Sequence, residues 1–303
     1  MYNESKEREG PLRRRFPQEQ TMIYQEIFLK QVFPQLSAVS GEPVLRAYLP
    51  DNLWEMERQK QKRPCLLICP GGAYAFVSQR EGEPVALQFL AEGWNVFVLQ
   101  YSVTPFHFPA QLCEVAAALE LLCQQAEAWH CDTRRVAILG FSAGGHLAAH
   151  YSNAYAWPEV RALFPESRPV QGTLLCYPVI SAQPGLAHLG SFRNLLGKDE
   201  LSEEDVRRFS CQNLVSPQTP PTFLWHTAAD GSVPVGNSLL YAQAMAEKNI
   251  PFALHIYPAG GHGLATVDGQ TNDALPPAVR HAHNWLEDAK AWLRITFPDP
   301  EQE

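Results

Sequence analysis

The sequence predicts an α/β fold, in which a mostly parallel central sheet of about eight strands is covered by helices on both faces. Three observations support this. Strand-like and helix-like segments alternate along most of the chain, the order that parallel strands need for their crossovers. Several strands are unbroken apolar runs such as CLLIC, which is typical of strands buried on both faces. The 303 residues are enough for a large core within one folded unit.

The strands are predicted from apolar runs that end in turn residues, and the helices from apolar residues at helical spacing. The predicted strands, in order, are 43–50, 64–69, 94–103, 134–142, 171–180, 222–230 and 252–260. The predicted helices are 83–93 with Gly93 as C-cap, 109–130 with Pro109 near its start, 146–156, 237–249 with Asn237 as N-cap, and about 277–295.

Two segments do not follow this alternation. Residues 1–20 are polar and aperiodic, and we expect a flexible tail there, with residues 21–303 forming a single domain. Residues 181–221 form a short insertion, in which Ser202 and Asp205 have the spacing of a capping box and predict a short helix. An insertion before a late strand either shapes a pocket or simply connects two elements.

Composition excludes several functional classes. A net charge of −8 gives no support to nucleic acid or an anionic membrane as partner, because both attract basic surfaces. Seven cysteines, an odd number without a CxxC pair, argue against a disulfide framework or a zinc site. No apolar run approaches the roughly 18 residues of a membrane span, and no apolar segment of a signal peptide follows the arginines at 13–15. These features predict a cytoplasmic protein.

The strongest motif is Gly140-Phe141-Ser142-Ala143-Gly144, which fits G-x-S-x-G. It lies directly after a buried strand and directly before a helical pattern. A chain that turns at once from strand to helix strains the residue between them, so its neighbours must be small. The hydroxyl of Ser142 would then project above the strand ends, beside the partly positive helix N-terminus. The motif predicts a nucleophile; in isolation it would be only a Gly-Ser turn.

A serine hydroxyl needs a base and an acid to orient that base. Among ten histidines, His262 lies in a glycine-rich loop after the last buried strand, from which an imidazole can reach across the strand ends. Asp230 ends the preceding strand and falls between the serine and the histidine in chain order. Asp268 and Asp273 compete for the acid role. The His146–His150 spacing suits a metal ion, but without the glutamate of HExxH we expect ordinary helix positions and no metal.

An oxyanion hole needs a second backbone amide besides that of Ala143. The segment Pro70-Gly71-Gly72-Ala73-Tyr74 follows the second predicted strand, and its small residues let the backbone approach a substrate closely. Gly72 and Ala73 are the best donors. A Gly-Gly turn also ends many strands that bind nothing, and a phosphate site is disfavoured because no GK[ST] follows.

These segments together resemble the α/β-hydrolase serine esterases, and most closely the bacterial acetyl esterase and acetylxylan-esterase-like group. CPGGAY resembles the HGGG loop of hormone-sensitive-lipase-type esterases, with Pro70 in place of the histidine. The resemblance covers about residues 40–295 and extends through the segments 78–86, 96–103, 220–245 and 255–265. It implies that Ser142 is the nucleophile, His262 the base and Asp230 the orienting acid. It also implies oxyanion amides from Gly72, Ala73 and Ala143.

The predicted function is therefore that of a serine esterase without cofactor, which removes short acyl groups, above all acetyl, from a small-molecule ester such as an acetylated sugar or xylo-oligosaccharide. Many charged residues at 181–221 favour a hydroxyl-rich alcohol over a long acyl chain. Two other functions remain open. Prolyl-oligopeptidase-type peptidases share the triad order, although their nucleophile motif resembles GxSYGG, whereas this chain has GFSAGG. A binding module could keep the fold without catalysis.

Overall fold

The computed structural model describes residues 22–299, so the predicted tail at 1–20 lies outside the described residues. The strands have apolar, β-branched or aromatic sequences that suit a buried pleated surface. In chain order they are β1 (Ile23–Phe28), β2 (Val44–Leu49), β3 (Arg63–Cys69), β4 (Asn95–Gln100), β5 (Cys131–Phe141), β6 (Gly172–Cys176), β7 (Thr222–Thr227) and β8 (Phe252–Tyr257).

Within the described residues, these strands form one eight-stranded sheet in the order β1-β2-β4-β3-β5-β6-β7-β8. The strands from β4 to β8 across the sheet are parallel, whereas β1 and β2 are antiparallel to their neighbours. The predicted α/β fold is confirmed. The edge strand β1 was not predicted, because its side chains are almost all exposed and therefore show no buried apolar pattern.

Helices cover both faces of this sheet. In chain order they are α1 (Leu29–Val32), α2 (Glu83–Leu90), α3 (Ala110–Gln124), α4 (Ser142–Ala154), α5 (Pro158–Arg161), α6 (Leu189–Leu196), α7 (Glu203–Phe209), α8 (Gly236–Glu247), α9 (Pro277–Arg280) and α10 (Trp285–Thr296). Apolar side chains of α3, α4 and α8 pack in one core cluster, and those of α2 and α10 pack in a second cluster on the other face. Both faces of the central strands are therefore buried, as the unbroken apolar runs predict.

Some helix boundaries differ from prediction. Helix α4 begins at Ser142, four residues before the predicted start, because the strand turns into the helix without a loop. Asn237 is not an N-cap: it lies inside α8, where its Oδ1 accepts hydrogen bonds from the amides of Ile180 and Ser181. The segment predicted as one last helix is divided into α9, a 3-10 turn at 281–284 and α10.

The insertion at 181–221 is folded onto the domain. The capping box of Ser202 and Asp205 is confirmed at the start of α7. Some charges of the segment are paired: Nζ of Lys198 lies 2.8 Å from Oδ1 of Asp205, and Arg208 pairs with Glu159 in α5. These pairs weaken the expectation that the charged residues of the insertion face a polar alcohol. Between residues 22 and 299, no helix combines the length and the apolarity needed to cross a bilayer.

Candidate active site

The G-x-S-x-G motif forms a sharp strand-to-helix turn between β5 and α4. Ser142 has a φ of +52°, a left-handed conformation that costs energy for any residue with a side chain. The flanking glycines are required by contact distances. A Cβ on Gly140 would lie 2.2 Å from the carbonyl oxygen of Gly144, and a Cβ on Gly144 would lie 2.1 Å from that of Cys69 and 2.3 Å from that of Pro70. The glycines therefore let the turn sit directly against the end of β3.

The structure brings together the serine, histidine and aspartate singled out from the sequence. The Oγ of Ser142 lies 2.7 Å from Nε2 of His262, and Nδ1 of His262 lies 2.7 Å from Oδ2 of Asp230. These are the distances that a nucleophile, a base and an orienting acid need. Since the carboxylate can only accept, His262 donates from Nδ1 and its Nε2 is free to accept the serine proton.

Asp230 is held in one orientation by the turn that follows β7. Its Oδ1 accepts hydrogen bonds from the amides of Ser232 and Val233, both at 2.9 Å, and its side chain is fully buried. Burial alone would raise the pKa of Asp230, but hydrogen bonds from His226 and His262 outweigh burial and hold this pKa well below its usual range. The carboxylate of Asp230 is therefore ionised at neutral pH and can accept a hydrogen bond from the imidazole.

The loop after β3 passes beside Ser142 and carries the predicted oxyanion amides. Gly72 and Ala73 both have positive φ, at +123° and +55°. Among the described residues, neither amide donates a hydrogen bond, and that of Ala143 lies in the first turn of α4. The three amides are thus available as donors. The carbonyl oxygen of Ala73 is held by Nδ2 of Asn194 in α6, at 2.8 Å.

The other candidates have different surroundings. Asp268 accepts hydrogen bonds from Thr266 and Gln270 close to it in sequence, and Asp273 is exposed. His146 is buried, with Nδ1 2.9 Å from the hydroxyl of Tyr74 and Nε2 2.9 Å from a carbonyl oxygen. Burial lowers the pKa of His146 to about 4. Within 22–299, no group of three or more His, Cys, Asp or Glu side chains is arranged to hold a metal ion.

Sequence reasoning missed two side chains that support the site. Nε2 of His226 lies 3.3 Å from Oδ2 of Asp230 and donates a hydrogen bond to the carbonyl oxygen of Val233. His226 therefore braces the turn that holds Asp230. Asn194, in the insertion, holds the loop that carries the predicted oxyanion amides. A histidine within an apolar strand and an asparagine within a short helix carry no signal of such roles, because their partners lie far away in sequence.

Comparison with known proteins shows that this chain is similar to ester hydrolases. A family model described as BD-FAE matches residues 52–157, and the model of the prolyl oligopeptidase family matches residues 111–289, more than half of the chain. The crystal structure of an acetyl ester-xyloside bifunctional hydrolase from Caldicellulosiruptor lactoaceticus is 35% identical in sequence. That match covers 89% of this chain and 96% of the other, with a TM-score of 0.75.

Two curated relatives are longer proteins. Endo-1,4-beta-xylanase B of Butyrivibrio fibrisolvens is 34% identical over 232 residues, and acetylxylan esterase of Xylanibacter ruminicola is 29% identical over 267 residues. These matches cover 74% and 87% of this chain. The chain spans only 36% and 50% of the length of these two relatives.

Proposed function

The chain belongs to the α/β-hydrolase esterases of the acetylxylan-esterase-like group, and on this basis we propose that it is a serine carboxylesterase that removes acetyl groups from xylo-oligosaccharides. The observation that carries the proposal is the continuous hydrogen-bonded row from Ser142 through His262 to Asp230, next to a loop with unengaged amides. Such a row activates a hydroxyl, and such amides stabilise a negative oxygen.

The proposed reaction proceeds through an acyl-enzyme. The Oγ of Ser142 attacks the ester carbonyl carbon while Nε2 of His262 takes the hydroxyl proton, and Asp230 stabilises the resulting imidazolium. The carbonyl oxygen becomes an oxyanion that accepts hydrogen bonds from the amides of Ala143 and of Gly72 or Ala73. When this tetrahedral intermediate collapses, the bond between the carbonyl carbon and the alcohol oxygen breaks, and the alcohol leaves with the proton from His262. A water molecule then attacks the acyl-serine while His262 takes its proton. Acetate is released, and the proton returns to Oγ of Ser142.

The substrate class rests on the relatives. The names of two of them refer to acetyl esters together with xylan or a xyloside, and a third is named as a xylanase. A cytoplasmic location is part of the proposal, because all seven cysteines are free thiols and reducing compartments keep thiols in that state. An intracellular esterase of this kind would act on oligosaccharides small enough to be taken up.

Two substrate series test the proposal. Acetylated xylo-oligosaccharides should be turned over, with acetate release measured directly, and p-nitrophenyl esters should lose kcat/KM as the acyl chain lengthens from acetyl to octanoyl. A long apolar slot would instead raise kcat/KM about fourfold per methylene, since each buried methylene contributes about 0.8 kcal/mol. An optimum at octanoyl, or no acetate from the oligosaccharides, would contradict the proposed substrate.

A second candidate function is peptide hydrolysis. It is favoured by the match to the prolyl oligopeptidase model and by a rat acylamino-acid-releasing enzyme, 27% identical over 57% of this chain. The chain covers only 23% of that enzyme. N-acetylated aminoacyl p-nitroanilides, assayed beside the acetyl esters, distinguish the two functions. A higher kcat/KM for the anilides would favour the peptidase.

A further inference from the structure

A buried carboxylate that the proposed reaction does not use lies beneath the oxyanion loop. Glu81 is only 4% exposed and lies in the 3-10 turn Gln79–Glu81 before α2. Its Oε2 accepts a hydrogen bond from the amide of Gly71 at 2.8 Å, and its Oε1 accepts one from the hydroxyl of Tyr177 at 2.7 Å. Both oxygens of this carboxylate are therefore bound to donors.

Tyr177, directly after β6, extends this contact to the loop that carries His262. Its hydroxyl oxygen accepts a hydrogen bond from the amide of Ala265 at 2.9 Å. Its ring also meets the imidazole of His262 edge to face, with 5.0 Å between the ring centres. The phenol of Tyr177 thus donates its one proton to Glu81 and accepts a hydrogen bond from the amide of Ala265, so the direction of every hydrogen bond is determined.

The two ends of this row adjoin the reacting groups. Gly71 immediately precedes the predicted oxyanion donor Gly72, and a Cβ on Gly71 would lie 2.9 Å from the carbonyl oxygen of Phe141 and 3.0 Å from Cβ of Ser142. Ala265 lies three residues after His262. The loops that would hold the oxyanion and the base are thereby connected through two buried side chains, independently of the triad itself.

We propose that Glu81 and Tyr177 are positioning residues, which together fix the distance between the oxyanion amides and the imidazole of His262. This inference rests on the proposed serine-esterase function. The row requires a carboxylate, because Gly71 and Tyr177 both donate to it. A glutamine offers one oxygen, which would stay on the amide of Gly71, since a backbone amide cannot turn its hydrogen away. The amide nitrogen of the glutamine then faces the hydroxyl of Tyr177, so the phenol proton has no acceptor and the hydrogen bond that Tyr177 donates to Glu81 is lost.

The test uses Glu81→Gln, Tyr177→Phe and the double variant. With p-nitrophenyl acetate, each single variant should lose kcat by about tenfold to a hundredfold, the range expected when reacting groups are displaced but not removed. The KM should change by less than about threefold, because the ground-state ester does not need an aligned oxyanion site. The affinity for a phenylboronic acid, which resembles the tetrahedral transition state, should fall by the same factor as kcat/KM.

Glu114 provides a matched control. It is fully buried and, like Glu81, accepts hydrogen bonds from one amide and one hydroxyl, but both donors belong to Ser102. Glu114→Gln should leave kcat and the boronate affinity of the folded protein within about twofold of the wild type. Circular dichroism and thermal unfolding confirm that each variant is folded. If Glu81→Gln does not fold, Tyr177→Phe by itself tests the same link.

The double variant tests whether the two residues act as one unit. The double variant should lose no more activity than the single variant with the larger loss, because either substitution breaks the same row of hydrogen bonds. Losses that multiply, or a boronate affinity that stays unchanged while kcat falls, would overturn the inference. If the wild type has no esterase activity, the proposed function fails and the inference fails with it. An active wild type with unaffected variants overturns the inference alone.

Discussion

Replacing Asp230 by asparagine should invert the proton positions of His262 without changing the size of the side chain. The two amides of Ser232 and Val233 can only donate, and each lies 2.9 Å from Oδ1. The single oxygen of an asparagine must remain there, because two unpaired buried donors cost more than one. Its amide nitrogen then faces Nδ1 of His262, which must become an acceptor.

The consequence for the nucleophile follows directly. A neutral imidazole that accepts at Nδ1 carries its proton on Nε2, which faces the Oγ of Ser142 at 2.7 Å. The serine then has a donor where it needs a base. In triad enzymes this exchange lowers kcat about 10⁴-fold, equivalent to about 5.5 kcal/mol of transition-state stabilisation.

The assay is the initial rate with p-nitrophenyl acetate at pH 8, with circular dichroism as the check of folding. Asp268→Asn and Asp273→Asn serve as controls, and both should retain kcat within about threefold. A loss smaller than tenfold in Asp230→Asn, or a severe loss in either control, would refute the assignment of Asp230 as the orienting acid.

Three further predictions concern packing, pH and metal ions. Gly144→Ala should abolish activity and lower the melting temperature, because its Cβ would overlap backbone carbonyls at the end of β3, whereas Gly269→Ala, with nothing within 4 Å, should change neither. Burial raises the pKa of Glu114 to about 7 from 4.5, so the folded state keeps this proton while the unfolded chain loses it. This group should therefore reduce the free energy of unfolding by roughly 3 kcal/mol as the pH rises from about 4.5 to 7. Urea unfolding at pH 5 and pH 8 should show a smaller difference in Glu114→Gln, and an equal difference would contradict this. Incubation with EDTA should leave the rate unchanged; loss that zinc restores would instead implicate His146 and His150.

The sequence predicted the central strands and the strand-to-helix turn because both depend on local signals. Residues 136–141, directly before Ser142, are all apolar and buried, and the glycines around Ser142 have no substitute in so tight a turn. The resemblance drawn from these motifs is confirmed by the matching family models and relatives. The roles of Ser142, Asp230 and His262 stay predictions, now with distances that the experiments can use.

The features that sequence reasoning missed depend on partners distant along the chain. Glu81 occurs within a segment that carried the family resemblance, yet its partner Tyr177 is 96 residues away. Asn194 reaches Ala73 across 121 residues. No periodicity or local motif encodes such contacts, since they arise only when the sheet brings the loops together. The edge strand β1 was missed for the opposite reason, because exposed residues carry little pattern at all.

Mass spectrometry of the protein labelled with a fluorophosphonate tests the central claim most directly. A serine activated by His262 should displace fluoride and carry one phosphonyl group, and peptide mapping should locate that group on Ser142. Ser142→Ala should remain folded, take up no label and lose at least about 10⁴-fold in kcat. A wild-type protein that stays unlabelled would indicate a binding module on the same fold, and a label on any other residue would contradict the proposed nucleophile.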